Sequence, residues 1–428
     1  MQSLEIQPVQ NPLIAKVHVP GSKSLTNRAL LIAALADGTT TLTNALFSDD
    51  SRYFGGALKT LGFDVRFDPQ RAEIRVKGLG GDIPARNAEL FIGNAGTAAR
   101  FLTAFLTLGN GEYILDGEPR MRERPIGHLV DALTQLGARV EAIENQVSVV
   151  CPPLKITASS LPGGKARIAG NISSQYLSAL LMVAPYAQAP VDIEVITELN
   201  SRPYVSMTLS IMRDFGVEAQ CDGYQFFKIP ITNYESRITY PIESDASAAS
   251  YFFAAPAICG GTVRVENISR QSVQGDIAFL NVLEKMGCTV EEAEFSIQVA
   301  SPVELRGIDI DMRDIPDTAQ TLAAIAPFAS TPTSIRGIAS ARFKETDRIH
   351  ATCTELARLG VFVEEHEDGM TIYPCDSINQ ASIKTYNDHR MAMAFSLIGL
   401  RVRGIVIENP GCVSKTFPDF FEVLGSLR

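Results

Sequence analysis

Two landmarks recur in step along this chain, and nothing else in the sequence limits its folding as much. The first is the end of an amphipathic helix, an apolar residue then glycine ahead of a strand-like stretch. It occurs at Leu61-Gly62, Leu136-Gly137, Phe215-Gly216, Met286-Gly287 and Leu359-Gly360, with Leu424-Gly425 a weaker sixth. Glycine past a helix end takes the left-handed conformation that lets the chain turn, and a spacing of roughly 65–80 residues marks a repeated supersecondary unit. The second landmark is a Ser, Asn or Asp cap opening a helix of small residues, at Ser24, Asn94, Ser174, Asp245, Asp317 and Asp388. Either landmark alone is common in large α/β proteins. Two that share one period imply a repeat.

Between the landmarks lie strand-like stretches at Glu73–Val76, Val147–Val150, Val263–Glu266 and Ile405–Glu408. Each unit therefore reads as mixed α/β. Six units divide as three and three, and the segments Val19-Pro20-Gly21 and Tyr240-Pro241 suit the two crossings. The expectation is a first lobe of residues 21–240 and a second lobe of 1–20 plus 241–428. A chain of 428 residues, 46% hydrophobic, has enough apolar matter for two cores, since single cores stop growing near ~250–300 residues.

A formal net charge of -10 argues against nucleic acid or an anionic membrane as main partner, because both reward a broad basic face. No apolar run approaches the ~20 residues that span a bilayer. The start, MQSLEIQPVQNPL, has no charged segment followed by an apolar core. Seven scattered cysteines form no CxxC pair, which fits neither a disulfide framework nor a zinc site. The expectation is a cytoplasmic protein whose functional basic residues are locally concentrated.

Helix starts concentrate them. Unpaired N–H groups and the helix dipole attract phosphate or carboxylate there, and several caps carry cations that capping alone does not require. In GSKSLTNRALLIAALADG, Lys23 precedes the expected helix, and Ser24 and Arg28 are four apart on one face. The plain alternative is a solvated surface pair, and GSKS is no Walker motif. GNAGTAARF (93–101) lets backbone approach an anion closely, with Arg100 one turn into the next helix. DGEPRMRERPIG (116–127) holds Arg120, Arg122 and Arg124, of which one meeting an anion in forked geometry would explain the density, leaving two structural or solvated. Ser173-Ser174-Gln175 offers neutral donors, and Ser201–Tyr204 is equally compatible with an ordinary cap. Acid–base candidates come later: Asp317, then Lys344-Glu345-Thr-Asp347-Arg348, where Lys344 and Arg348 would share a helix face and Glu345 would not. His389 and Arg390 open another helix, and Lys415 lies in a loop before the last. A lone histidine is more often structural, so His389 is secondary.

In order, GSKSLTNRAL, GNAGTAARF, DGEPRMRERPIG, NISSQYLSALL, ESDASAASYF, DIPDTAQ, KETDRI, NDHRMAM and SKTFPDFF resemble the enolpyruvyl transferases, and among them the EPSP synthase family, over nearly the whole chain. The resemblance implies a two-lobed inside-out α/β barrel, each lobe of three βαβαββ-type units, that closes on its substrates. It implies a monomeric glyphosate-target enzyme of the shikimate pathway, with no metal and no organic cofactor. The implied reaction moves the carboxyvinyl group of phosphoenolpyruvate onto the 5-hydroxyl of 3-phosphoshikimate and releases phosphate. Carried over by motif, Asp317 acts as base on that hydroxyl, Glu345 delivers and removes the methylene proton, and Lys344 shares the proton traffic. Lys23, Asn94, Gly96, Arg124, Gln175, Arg348, Arg390 and Lys415 would surround phosphoenolpyruvate. Lys23, Ser24, Arg28, Ser173, Ser174, Gln175, Ser201, Tyr204, Asp317, Ser340 and Lys344 would hold 3-phosphoshikimate. Two positions depart from the family pattern: Phe101, where many relatives carry Pro, and Ser340, where Asn is usual. The nearest rival, the UDP-N-acetylglucosamine enolpyruvyl transferases, usually carries a reactive Cys in the first lobe, and no Cys precedes Cys151 here.

Overall fold

The computed structural model describes residues 2–143 and 149–428. Along the chain run α1 (Lys23–Leu35), α2 (Asp49–Thr60), α3 (Gly96–Leu106), α4 (Gly127–Gln135), α5 (Ser174–Val183) and α6 (Arg202–Asp214). Then follow α7 (Ala246–Cys259), α8 (Phe279–Lys285), α9 (Ala319–Ile325), α10 (Arg348–Arg358), α11 (His389–Gly399) and α12 (Phe420–Gly425). The chain divides into two compact units, Gly21–Glu243 and Met1–Pro20 joined with Ser244–Arg428, each with its own hydrophobic core.

In the first unit the repeat is plainest around α3 and α4. Strand Asn87–Phe91 leads through α3 to the parallel strand Asn110–Asp116, and α4 leads to Arg139–Ala142 and Leu154–Ser159, which continue the sheet antiparallel. The same βαβαββ order returns from Gly164–Ile168 through α5 and α6 to Phe226–Ile229. The repeat that opens with α1 lacks a first strand of its own. Thr239–Pro241, from the far end of the unit, supplies it by pairing in parallel with Thr41–Thr43. That pairing moves the second crossing past Tyr240-Pro241: Ile242 and Glu243 still bond to Thr43 and Ser22, so the unit ends at Glu243.

The second unit borrows in the same way. Leu13–His18 pairs in parallel with Gly261–Glu266 and completes the sheet of α7 and α8. Asp309–Asp311, α9, Thr333–Arg336, α10 and the hairpin Val363–His366/Gly369–Ile372 form the next repeat. The last sheet has three strands, Ala381–Ile383, Ile405–Glu408 and the N-terminal Ser3–Ile6. The strand expected at Val147–Val150 begins outside the described residues. Its last two residues form no strand, and the Val150 carbonyl accepts the Ile126 N–H at 2.9 Å instead.

Composition assigns each helix its place. α1 is buried from Leu25 to Leu35 without a break, and α7 nearly so; a helix apolar on every side belongs inside a unit. α3 packs against α1 and α5, and α9 against α7 and α11. The second helix of a repeat is two-faced: α6 buries Val205, Met207, Thr208, Ile211 and Met212 and leaves Arg202, Arg213 and Asp214 exposed. These outer helices end as expected, with Gly62, Gly137, Gly216, Gly287 and Gly360 at φ of 96°, 90°, 85°, 105° and 82°. Gly425 differs, being itself the last residue of α12.

The caps are less well placed by sequence. Asp245 and Asp388 cap α7 and α11 by accepting Ala248 and Arg390 N–H at 2.9 Å. The other four shift. Ser22 caps α1, so Ser24 is the second helical residue, and Lys23, expected ahead of the helix, is its first. Ala95 takes the position expected of Asn94, and Ser173 that of Ser174. Asp317 lies in a 3-10 turn, Pro316–Thr318, before α9. The side-chain oxygens of Asn94 and Asp317 accept from arginines instead of from helix N–H groups.

Candidate active site

In the first unit, the starts of α1 and α3 and the loop after Asp116 carry the cations. Of the three arginines in the 116–127 loop, one is buried. Arg120 pairs with Glu123 at 2.8 Å and Arg122 with Asp116 at 2.6 Å on the surface. Arg124 is only 4% exposed, and its Nη1 donates to the Asn94 carbonyl (3.2 Å) and Oδ1 (3.0 Å). Gly96 is what permits this: a Cβ there would stand 2.8 Å from Arg124 Cζ. Arg100 ties the turn to the loop by donating to Gly96 O and Pro125 O, both at 3.1 Å. Gln175 Nε2 donates to Thr97 Oγ1 at 3.2 Å, joining the starts of α5 and α3. The Lys23 ammonium lies 3.8 Å from Asp50.

Arg28 is not the solvated cation that its position near a helix start allows. It is fully buried and donates to Ser24 O (3.0 Å), Thr208 Oγ1 (2.8 Å), Ser178 Oγ (3.3 Å) and Tyr204 O (3.2 Å). Its guanidinium carbon lies 5.4 Å from the centre of the Phe101 ring, the residue that departs from the family pattern. Burial lowers its pKa to about 10. Arg28 therefore joins α1, α3, α5 and α6, and Ser178 and Thr208, to which nothing in the sequence drew attention, hold it. Tyr204 contributes its carbonyl. Ser201, the residue just before α6, lies in the left-handed region, at φ 59°.

The second unit gathers a denser cluster. Arg348, the first residue of α10, is 3% exposed and reaches three carboxylates: Asp317 at 3.1 Å, Glu345 at 2.7 Å and Asp388 at 2.8 Å. Arg390 grips the other oxygen of Asp317 at 2.9 Å, and Lys415 stands 3.7 Å from Glu345. Three carboxylates thus face three cations, a balance that buried charge requires because each ion loses its hydration. Burial disfavours the Arg348 charge, but Asp388, Glu345 and Asp317 outweigh it and hold the guanidinium above its ordinary value. Tyr251 OH lies 3.5 Å from Arg390 Nη1, and burial pushes its phenol up to about 12.

One expected contact is reversed. Lys344 was to share a helix face with Arg348, but α10 starts at Arg348 with Asp347 as its cap. Lys344 therefore lies outside the helix, half-buried, and Glu345 is the residue that meets Arg348. Ser340 is buried in the 3-10 turn Ala339–Phe343. His389 is fully buried, with Nδ1 3.5 Å from Asp388. Asp388 and Tyr251 are the members of this cluster that sequence reasoning missed. The only signal was that Asp388 caps the helix bearing Arg390. Among the described residues no group of His, Cys, Asp and Glu is arranged to hold a metal ion.

The comparisons with known proteins agree with one another. A profile of the EPSP synthase (3-phosphoshikimate 1-carboxyvinyltransferase) family matches residues 8–424. The chain is 54% identical over 422 residues to the 3-phosphoshikimate 1-carboxyvinyltransferase of Trichormus variabilis, covering 98% of each. It is 51% identical over 429 residues to that of a Sulfurovum species, covering 100% of this chain and 99% of the relative. A solved EPSP synthase from Acinetobacter baumannii matches with a TM-score of 0.81 at 25% identity, over 99% of this chain and 98% of that one. These names set aside the UDP-N-acetylglucosamine rival. The chain belongs to the EPSP synthase family.

Proposed function

We propose that the chain transfers the carboxyvinyl group of phosphoenolpyruvate to the 5-hydroxyl of 3-phosphoshikimate, giving 5-enolpyruvylshikimate 3-phosphate and phosphate. The observation that carries the reading is the pair of carboxylates, Asp317 and Glu345, on one buried guanidinium. Addition followed by elimination needs one group for the hydroxyl proton and one for the methylene carbon. Asp317 takes the proton of the 5-hydroxyl as its oxygen bonds to C2 of phosphoenolpyruvate, while Glu345 gives a proton to the methylene and turns it into a methyl group. In the second step Glu345 takes a methyl proton back, the C2–O bond to phosphate breaks, the departing phosphate carries off the proton that Asp317 took, and the vinyl group is restored. Lys344, half-buried beside Glu345 in sequence, shares the proton traffic.

Phosphoenolpyruvate brings a phosphate and a carboxylate, and Lys23, Asn94, Gly96, Arg124, Gln175, Arg348, Arg390 and Lys415 are assigned to them. Charge-assisted contacts of about 1.5–3 kcal/mol each make several cations necessary for firm binding in water. Ser24, Arg28, Ser173, Ser174, Gln175, Ser201, Tyr204 and Ser340 are assigned to 3-phosphoshikimate, along with Lys23, Asp317 and Lys344. Arg28 has given most of its donors to the protein, so its part is chiefly charge. The chain works as a monomer in the cytoplasm, with small molecules as its partners. Seven free cysteines suit a reducing compartment, and among the described residues no helix is long and apolar enough to cross a membrane.

Phosphate release by the purified protein tests the reading. Release is expected only when phosphoenolpyruvate and 3-phosphoshikimate are both present. Release with either alone, or none with both, defeats it.

A further inference from the structure

The segment that carries Lys344 and Glu345 is closed across its base by Arg342. Arg342 Nη1 lies 2.8 Å from Asp347 Oδ2, bridging the two ends of 343–346, while Asp347 Oδ1 caps α10 by accepting His350 N–H at 3.0 Å. The rest of the Arg342 guanidinium is bonded to the hairpin that ends the same repeat. It donates to Glu365 Oε1 (2.9 Å), His366 O (2.6 Å) and Glu367 O (2.9 Å). Gly337 and Ile338 N–H, just before the segment, bond to Asp368 Oδ2 (3.0 Å) and O (2.8 Å) of that same hairpin. A planar guanidinium can satisfy two carboxylates and two carbonyls in fixed directions; an ammonium cannot.

The geometry points to Arg342 as a positioning residue for the reaction. It fixes the short loop from both sides so that Glu345 meets Arg348 and Lys415 with its carboxylate already aimed. Arg342 is itself partly exposed, and its bonds all run to the loop end and the hairpin. Its action is on the backbone that presents Glu345, not on substrate. Burial works against its charge, and Asp347 and Glu365 more than offset that.

The inference rests on Glu345 being the methylene acid and base, so Glu345→Gln is measured beside Arg342→Met and Arg342→Lys. A misplacement near 1 Å can cost about 100-fold in turnover. Arg342→Met is therefore expected to lower kcat by about 100-fold with both KM values within about threefold. Arg342→Lys keeps a charge for Asp347 or Glu365 and is expected to regain only part of the loss. The reaction turns the methylene into a methyl group and back, so product formed in deuterated water should carry deuterium there. Its uptake should slow in step with kcat. A packing role alone would instead lower the melting temperature and raise both KM values together. That pattern overturns the inference, as does wild-type kcat in Arg342→Met while Glu345→Gln is inactive. Should Arg342→Met fail to fold, Arg342→Lys is read by the same division of kcat from KM. Wild-type turnover in Glu345→Gln removes the reading of Glu345, and the role of Arg342 falls with it.

Discussion

Replacing Gly96 with alanine tests whether Arg124 is held where phosphoenolpyruvate needs it. The added Cβ would stand 2.8 Å from Arg124 Cζ and 2.9 Å from Nη1. Ordinary contact between such atoms begins near ~3.5 Å, so the guanidinium has to retreat by more than half an ångström. Its bonds to the Asn94 carbonyl and side chain, at 3.2 and 3.0 Å, stretch past useful length. Gly96 opens α3 with no positive φ, so alanine carries no backbone strain. The fold should survive with a stability loss of no more than about 3 kcal/mol, from the bonds lost by a buried group, while binding fails for one substrate only. Displacing one charge-assisted contact by about 1.5–3 kcal/mol raises KM for phosphoenolpyruvate by about 10–100-fold. KM for 3-phosphoshikimate should change far less. Phosphate release, with each substrate titrated against saturating levels of the other, separates the two, and thermal unfolding supplies the control. In an Arg124→Ala background the added methyl should do almost nothing, because its target has gone. Equal rises in both KM values, an unfolded variant, or simple additivity of the two substitutions would refute the reasoning.

Glu345→Gln can keep a bond to Arg348 but cannot carry the proton, so kcat should fall at least 100-fold while both KM values stay within a few-fold; matched losses in both would move the acid–base role elsewhere. Asp388→Asn retains the cap on α11 but leaves Arg348 short of one buried carboxylate. A loss of about 3–5 kcal/mol in unfolding free energy is expected by urea titration, and a loss under 1 kcal/mol would show that Asp317 and Glu345 suffice. Burial pushes the thiols of Cys259, Cys288, Cys353 and Cys412 up to about 12 from an ordinary value of 9.0. Their folded values are raised, so the stability they contribute is whole below pH 9 and is lost as pH climbs towards 12. Urea midpoints at pH 8 and pH 10.5 should differ in that direction, and a flat profile would contradict it. Native protein at pH 8 should also react with a thiol reagent first at Cys221, the exposed one.

The architecture was legible because the repeat is written in residue types that have few alternatives. Five apolar-Gly pairs became five helix ends with positive φ, since only glycine takes that turn without strain. The helix starts were less legible. Ser22 caps α1 although Ser24 looks as suitable, and the choice depends on which backbone is extended, a matter of the turn from Pro20-Gly21 that spacing does not encode. Arg28 shows the same limit for the site. Its number places it on a face with Ser24, and that much held, but its burial comes from Ser178, Thr208 and Phe101, residues 150, 180 and 73 positions away. A helical wheel contains none of these.

The two units build their helix starts in opposite ways, and this bears on how they divide the chemistry. In the first unit the positions beside the inner helices carry Ser24, Ser173, Ser174 and Gln175, neutral groups that can accept or donate, with Arg28 and Arg124 bonded mainly to neutral oxygens. Such a surface holds an anion without changing its protonation. In the second unit the corresponding starts carry Asp317 and Asp388, with Glu345 just ahead of α10, each bonded to a cation. An arriving anion would compete with these carboxylates for Arg348, which all three share. The first unit thus carries serines near its helix starts and the second carries carboxylates, which fits the proposed division between holding a phosphate and moving a proton. Asp317→Ser is accordingly expected to leave a protein that still binds phosphoenolpyruvate and releases no phosphate, read by ligand binding beside phosphate release.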